Sequence, residues 1–185
     1  MKVAGIQRRI DDLGRIVIPK ELRRMVNIKE GDPLEIFISG NKIIMEKYSE
    51  ISNKRDLADQ LVKGFNVSNS KSPFIAIVDT ESIISVKTNS NYLSTRLVGK
   101  ELSQELMGIV NQDEFVYKEK IKDIPETMTV HLDSENTLFV KRIYKISPHV
   151  GAIVLFSKDN NGLEITDEQD AIAKYMVNIF KSEDY

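Results

Sequence analysis

Between positions 8 and 24 stand six cations whose spacing could grip a polyanion: Arg8, Arg9, Arg15, Lys20, Arg23 and Arg24. Arg8 and Arg9 are neighbours on a predicted strand, so they point to opposite faces and one of the two can meet a given surface. Arg15 follows the turn Asp11-Asp12-Leu13-Gly14, where a glycine lets the backbone come close to a phosphate. Lys20, Arg23 and Arg24 stand at i, i+3 and i+4 and share one helix face. Residues 1–29 hold eight basic against three acidic residues, a net of +5, whereas residues 51–185 hold 16 against 20, a net of −4. The whole-chain charge of −2 hides this asymmetry. A basic head on an acidic body suits a chain that meets a polyanion at one end only. The competing use of each arginine is a surface ion pair, Arg15 with Asp11 or Asp12 and Arg24 with Glu21, while Lys2 and Lys20 can simply be solvated.

Other chemistries find little to work with. There is no Cys, which removes disulfides, thiolate metal sites and cysteine nucleophiles and fits a reducing compartment. The two histidines, His131 and His149, lack the spacing and companions of a metal site. Gly99-Lys100 is followed by Glu101 and no glycine stands five residues before it, so it is not a phosphate-binding loop. The carboxylate pairs Asp11-Asp12 and Glu119 with Asp123 are exposed by pattern. In Asp159-Asn160-Asn161-Gly162 the glycine comes two positions too early for a calcium loop, and the segment reads as a turn. No enzymatic activity and no cofactor are expected. Arg96, Lys141, Arg142 and Tyr144 could line a polar pocket for a small-molecule effector, although alternating charge on an outer strand also describes a solvated face. The longest apolar runs, Phe74 to Val78 and Val150 to Phe156, fall far short of the ~20 residues that span a bilayer. No apolar signal region follows the first nine residues. A soluble, cytoplasmic protein is expected.

The elements that must position these residues follow from periodicity. With 185 residues, 41% of them hydrophobic and 29% charged, the chain has room for one domain or two small ones. Ile6 to Ile10 and Arg15 to Ile18 read as strands around the Asp11–Gly14 turn. Pro19 ends the second and suits the first turn of a helix. From Lys20 to Asn27, Leu22, Met25 and Val26 form an apolar stripe opposite the cations. Leu34, Ile36 and Ile38 alternate in a strand that turns at Ser39-Gly40-Asn41 into a second one, Lys42 to Lys47. The apolar set of this head is Ile16, Ile18, Leu22, Val26, Ile36 and Ile38, too few to make a core from one chain. With no metal or disulfide to substitute, association with another copy is the remaining device, so a dimer is expected.

A boundary falls at 51/52. Ser52 or Asn53 can cap a helix in which Leu57, Leu61 and Phe65 recur, widened by Ala58 and Val62. Phe74 to Val78 and Ile83 to Val86 read as a hairpin, and Tyr92 to Leu97 and Glu101 to Val110 as helices. Leu138, Val140, Arg142, Tyr144 and Ile146 are expected on one face of a long strand, which turns at Ser147-Pro148-His149 into the apolar strand Val150 to Phe156. Thr166 and Gln169 form a capping box before a helix with Ile172, Tyr175, Met176, Ile179 and Phe180 on one face. The class is α+β.

The run Arg8-Arg9-Ile10-Asp11-Asp12-Leu13-Gly14-Arg15-Ile16-Val17-Ile18-Pro19-Lys20-Glu21-Leu22-Arg23-Arg24, followed by Ile28-Lys29-Glu30-Gly31-Asp32-Pro33-Leu34-Glu35-Ile36, closely resembles the AbrB family of transition-state and sporulation regulators. Gly151 to Asp159 resembles a late strand of the GAF-like domain that some members carry after the head. The resemblance implies a swapped-hairpin β-barrel shared by two chains (1–51) and a GAF-like regulatory or oligomerisation domain (52–185). It implies double-stranded DNA as the partner, with the family's contacting arginines falling on Arg8, Arg15, Arg23 and Arg24 and with Arg9 beside the first. Phosphate neutralisation makes such binding salt-dependent, and arginine can also fork onto guanine or enter a narrow minor groove. The function expected is a nucleoid-associated regulator of sporulation or stationary-phase genes, acting as a dimer or as a tetramer in which the body joins two dimers. Two other readings share the head: an antitoxin's DNA-binding half, and a small-molecule sensor whose body gates DNA binding.

Overall fold

The computed structural model describes residues 5–26, 28–65, 67, 73–112, 131–133, 135, 137–147, 150–159 and 165–182. Lys2, Glu119, Asp123, His149 and the loop 160–162 lie outside them. The chain divides into two compact units, Met1–Tyr48 and Ser49–Tyr185.

Among its described residues the first unit contains one helix, α1 (Lys20–Met25), and one hairpin, β1 (Leu34–Ser39) with β2 (Lys42–Lys47), paired antiparallel from Leu34↔Lys47 to Ser39↔Lys42. Gly40, at φ 59, makes the turn. Pro19 stands one position before the helix proper, at its N-cap with ψ 145. The strands expected at Ile6 to Ile10 and Arg15 to Ile18 do not form in the single chain. A strand exists only through its ladder, and the backbone bond that joins these two pieces is Asp11 N–H to the Arg15 carbonyl at 3.1 Å, too little for one. For the same reason one chain shows a two-stranded sheet and no closed barrel among the described residues.

The second unit is a four-stranded antiparallel sheet with helices on both faces. Its members among the described residues are α2 (Glu50–Asn53), α3 (Arg55–Gly64), β3 (Phe74–Val78), β4 (Ile83–Lys87), α4 (Asn91–Leu97), α5 (Gln104–Val110), β5 (Phe139–Ser147), β6 (Gly151–Ser157) and α6 (Asp167–Ser182). The strand order is β4-β3-β6-β5. Every side chain of β3 and β6 is buried, as central strands covered on both sides require. Alternation then divides the core in two. Phe74, Ala76 and Val78 pack with Leu97, Leu106 and Val110 of α4 and α5, while Ile75 and Ile77 pack with Ala58 and Val62 of α3, Phe65 just beyond it, and Met176 and Phe180 of α6.

Three local readings are corrected. A bulge between Val140 and Arg142 makes Lys141 the extra residue, so Val140 and Ile143 face the α4/α5 side while Tyr144 and Ile146 face α3 and α6. One uninterrupted face from Leu138 to Ile146 is thereby excluded. Neither Ser52 nor Asn53 caps the helix that carries Leu57 and Leu61: Lys54 stands at the N-cap of α3 without a side-chain cap bond, and Ser49 caps the short α2 before it, accepting from Ser52 N–H at 3.1 Å. On α6 the buried stripe is Gln169, Ala173, Met176, Val177 and Phe180, and Tyr175 is 66% exposed. The capping box forms as expected: Thr166 N–H donates to Gln169 Oε1 at 3.1 Å and Gln169 N–H to Thr166 Oγ1 at 3.2 Å.

The entry to the body is fastened by a buried carboxylate. Asp79 accepts from Glu81 N–H and Ser82 N–H at 2.8 and 2.7 Å, closing the β3–β4 turn, and from Ser49 Oγ at 3.0 Å. Ile51 packs against the neighbouring end of the sheet, where a Cβ built on Gly151 would lie 2.1 Å from the Val78 carbonyl oxygen and 2.5 Å from Ile51 Cδ1. Gly151→Ala is therefore expected to destabilise the body by about 1–3 kcal/mol or more, read as a lower melting temperature of the full chain. An unchanged melting temperature would show that the sheet end yields easily.

Candidate nucleic-acid interface

All six cations expected at the interface lie in the first unit, four of them on two small platforms. The first is the turn ahead of Arg15. Asp11 Oδ1 accepts Leu13 N–H at 3.0 Å and Arg15 N–H at 2.8 Å, and Gly14 N–H donates to the Asp11 carbonyl at 3.0 Å. Gly14 sits at φ 77, a left-handed conformation that other residues enter at a cost. Across this turn the Arg15 Nε donates to Asp11 Oδ2 at 2.8 Å. The backbone N–H of Arg15, and after it the side chain, hold the Asp11 carboxyl below the usual carboxylate range.

The second platform is α1, which carries Lys20, Arg23 and Arg24. Lys20 and Arg24 are exposed, and Arg23 is half-buried with its Nε lacking a hydrogen-bond partner among the described residues. Arg8 and Arg9 are exposed, and Arg8 bonds the adjacent Gln7 carbonyl at 3.2 Å. Of the two ion pairs open to these arginines, Arg15 with Asp11 forms. Arg24 with Glu21 does not form among the described residues. Among those residues, five of the six cations thus keep a charge that the head itself does not neutralise, which leaves it available to a polyanion.

The apolar set of the head lies open in the single chain. Ile16, Val26, Ile36 and Ile38 are exposed, Ile38 to 79%, while Ile18 and Leu22 are half-buried and α1 buries no residue at all. Val17, Ile43 and Met45 add to the open surface.

The four residues considered for an effector pocket are not brought together. Arg96 is on α4, its guanidinium 5.7 Å from the centre of the Tyr92 ring. Lys141 is the bulge residue, with its ammonium 5.9 Å from the centre of the Phe139 ring. Arg142 and Tyr144 serve Asp170 of α6, to which they donate at 2.8 and 2.6 Å, beside Lys174 Nζ at 2.5 Å. The sheet separates Arg96 on the α4 side from the Asp170 cluster on the α6 side. The bulge at Lys141 is the missing signal, because a bulge leaves no mark in an alternating charge pattern. His131 lies beside Phe139, ring centres 5.4 Å apart. No helix among the described residues is long and apolar enough to cross a membrane.

Comparison with known proteins follows the same two units. The family described as "Antidote-toxin recognition MazE, bacterial antitoxin" matches residues 7–53. Stage V sporulation protein T of Bacillus subtilis (strain 168) is 37% identical over 166 residues, 89% of this chain and 90% of that protein. Transition state regulatory protein AbrB of the same organism is 56% identical over 48 residues, 26% of this chain and 50% of that one. The solution structure of the N-terminal DNA recognition domain of the Bacillus subtilis transition-state regulator AbrB is 55% identical, covers 26% of this chain and 92% of that one, and gives a TM-score of 0.24.

The Asp170 cluster has a measurable consequence of its own. Lys174 first, then the Tyr144 hydroxyl and Arg142, hold the Asp170 carboxyl at about 2 against the opposing effect of burial. A carboxylate depressed on folding stabilises fully above its unfolded pKa of about 3.9, and that contribution fades as pH falls toward 2. Asp170→Asn should cost about 1–3 kcal/mol in denaturant unfolding at neutral pH and progressively less between pH 4 and 2. A loss that is constant across this range would contradict the charge-based account.

Proposed function

Because the chain belongs to the AbrB-type regulator family of stage V sporulation protein T, we propose that it is a DNA-binding transcriptional regulator of sporulation or stationary-phase genes, associated with the nucleoid. The observation that carries this is the extent of the likeness: identity to stage V sporulation protein T runs through both units, over 89% of the chain. The antitoxin family matches the head alone, and an antitoxin would carry a short tail where this chain has a sheet with helices on both faces. That difference favours the regulator.

In this reading Arg8, Arg15, Arg23 and Arg24, with Arg9 and Lys20 beside them, meet double-stranded DNA. Two heads share a core made from the apolar set left open in one chain, and the pieces at 5–10 and 15–18 find their strand partners in the other copy as a swapped hairpin. The dimer doubles the arginine set, so that modest contacts on each head add up on one duplex. The body acts as a GAF-like regulatory or oligomerisation unit, and no effector is assigned to it. Most of the stripe of α3 is spent on the body's own sheet through Ala58, Val62 and Phe65; a contact joining two dimers would have to use the half-buried Leu57 and Leu61.

Replacing Arg23 and Arg24 with Ala should weaken binding to any duplex and flatten the dependence of log affinity on log salt by about 0.9 for each phosphate no longer neutralised. A folded double variant that binds as tightly as the parent across the titration overturns the arginine assignment. Light scattering tests the assembly. Ile36→Asp with Ile38→Asp should halve the particle mass of the full chain, and an unchanged mass sinks the shared head core. A parent mass of four times 21.1 kDa would add a body contact between dimers, whereas a mass of twice 21.1 kDa would exclude it.

A further inference from the structure

An arginine can fork onto an acceptor pair in two ways, side-on through Nε and one terminal nitrogen, or end-on through both terminal nitrogens. In this chain the choice for Arg15 is already made. Its Nε is occupied by Asp11 Oδ2 at 2.8 Å, and its side chain is 70% exposed, so the terminal nitrogens are left toward solvent. The same carboxylate is fixed in turn by two backbone N–H groups, those of Leu13 at 3.0 Å and Arg15 at 2.8 Å. The backbone of the turn is closed by Asp11 N–H to the Arg15 carbonyl at 3.1 Å and Gly14 N–H to the Asp11 carbonyl at 3.0 Å. Asp11 is thus a rigid bracket: one oxygen holds the turn and the other holds the guanidinium.

Resting on the DNA-binding reading above, we propose that Asp11 is a positioning residue that presents Arg15 end-on to DNA, as a fork for two phosphate oxygens or for guanine O6 and N7. An anion on a surface that meets phosphates repels the ligand, so its place beside an interface arginine calls for a return. The return is lost freedom. An exposed arginine samples many rotamers, and ordering such a side chain on binding costs affinity. Asp11 orders it beforehand and closes the side-on approach. It also lowers the effective charge at this point, so Arg15 is better suited to a geometrically defined contact than to general attraction, for which Arg8, Arg9 and Arg24 remain exposed.

The test is a double-mutant cycle on the full-length chain, with a fluorescein-labelled duplex selected from a random library by the parent. Asp11→Asn keeps an oxygen for the two backbone N–H groups but sets an amide nitrogen against the guanidinium. Positioning predicts that Asp11→Asn weakens binding by about 2- to 10-fold per copy. The salt slope stays unchanged, because the arginine charge remains, and the effect disappears in an Arg15→Ala background. If Asp11 is only a nearby anion, Asp11→Asn tightens binding with and without Arg15, which overturns the proposal. A parent that selects no duplex, or an Arg15→Ala that binds as well as the parent, would instead remove the reading on which this one rests. Should Asp11→Asn fail to fold, the parent alone decides: the Arg15 Nε–H proton should resist solvent exchange both free and bound to the duplex. An Nε–H that exchanges freely in the parent, or transfers to DNA on binding, excludes the end-on bracket.

Discussion

Apolar side chains need neighbours, and a unit of 48 residues whose described part holds one six-residue helix and one hairpin has few to offer. This shortage governs the rest of the molecule. Hydrophobic burial is worth roughly 25 cal/mol for each Å² removed from water, and in one chain Ile16, Val26, Ile36 and Ile38 collect little of it. One exposed isoleucine is ordinary, but Ile16, Val17, Val26, Ile36, Ile38 and Ile43 are all open within one small unit, Ile38 to 79%, which is more than an isolated fold of this size carries without a use for it. The same residues placed against their copies would be core. The proposed dimer is thus the condition under which the head has an interior, and only a head with an interior can hold six cations in fixed places.

The second unit is under no such pressure. Its sheet is covered on both faces, and β3 and β6 are buried throughout. Its outer edges are also managed. The Ile83 N–H and carbonyl bond the Lys100 carbonyl and the Gly99 N–H at 2.9 and 2.8 Å, occupying part of the free side of β4. β5 carries Lys141, Arg142 and Lys145 and two irregularities in register, both of which discourage another strand from pairing there. A head proposed to share its core with a copy, beside a body whose sheet edges discourage strand pairing, would favour one mode of association over many.

What can be read from the sequence follows the same division of physics. The hairpin at 34–47, the strands β3, β4 and β6 and the capping box at Thr166 and Gln169 rest on local patterns: alternation, Gly turns, a three-residue spacing. The strands expected at 5–10 and 15–18 rest on a partner that one chain does not supply, and they are absent from it. The face of β5 escapes a reading by alternation because a bulge shifts the pattern by one residue without changing composition. Tyr175 fits the core of α6 by spacing, whereas the smaller Ala173 is the residue that lies against the sheet. Periodicity finds the face of a helix to within one residue, and packing decides the remainder.

The site is legible as residue types and illegible as a geometry. Arginines announce themselves by charge, but charge does not say how a guanidinium is held. Asp11 reads as part of a turn, and so it is; the second oxygen of the same carboxylate gives it another use. At Asp11 one oxygen closes the turn and the other is aimed at the residue that follows it. Here the residue that follows Gly14 is Arg15, and the spacing that makes the turn also makes the ion pair. The turn motif and the arginine proposed for the interface are therefore one device. A change that keeps the cation but alters the turn, such as moving the glycine by one position, would leave the charge of the head intact and take away its direction.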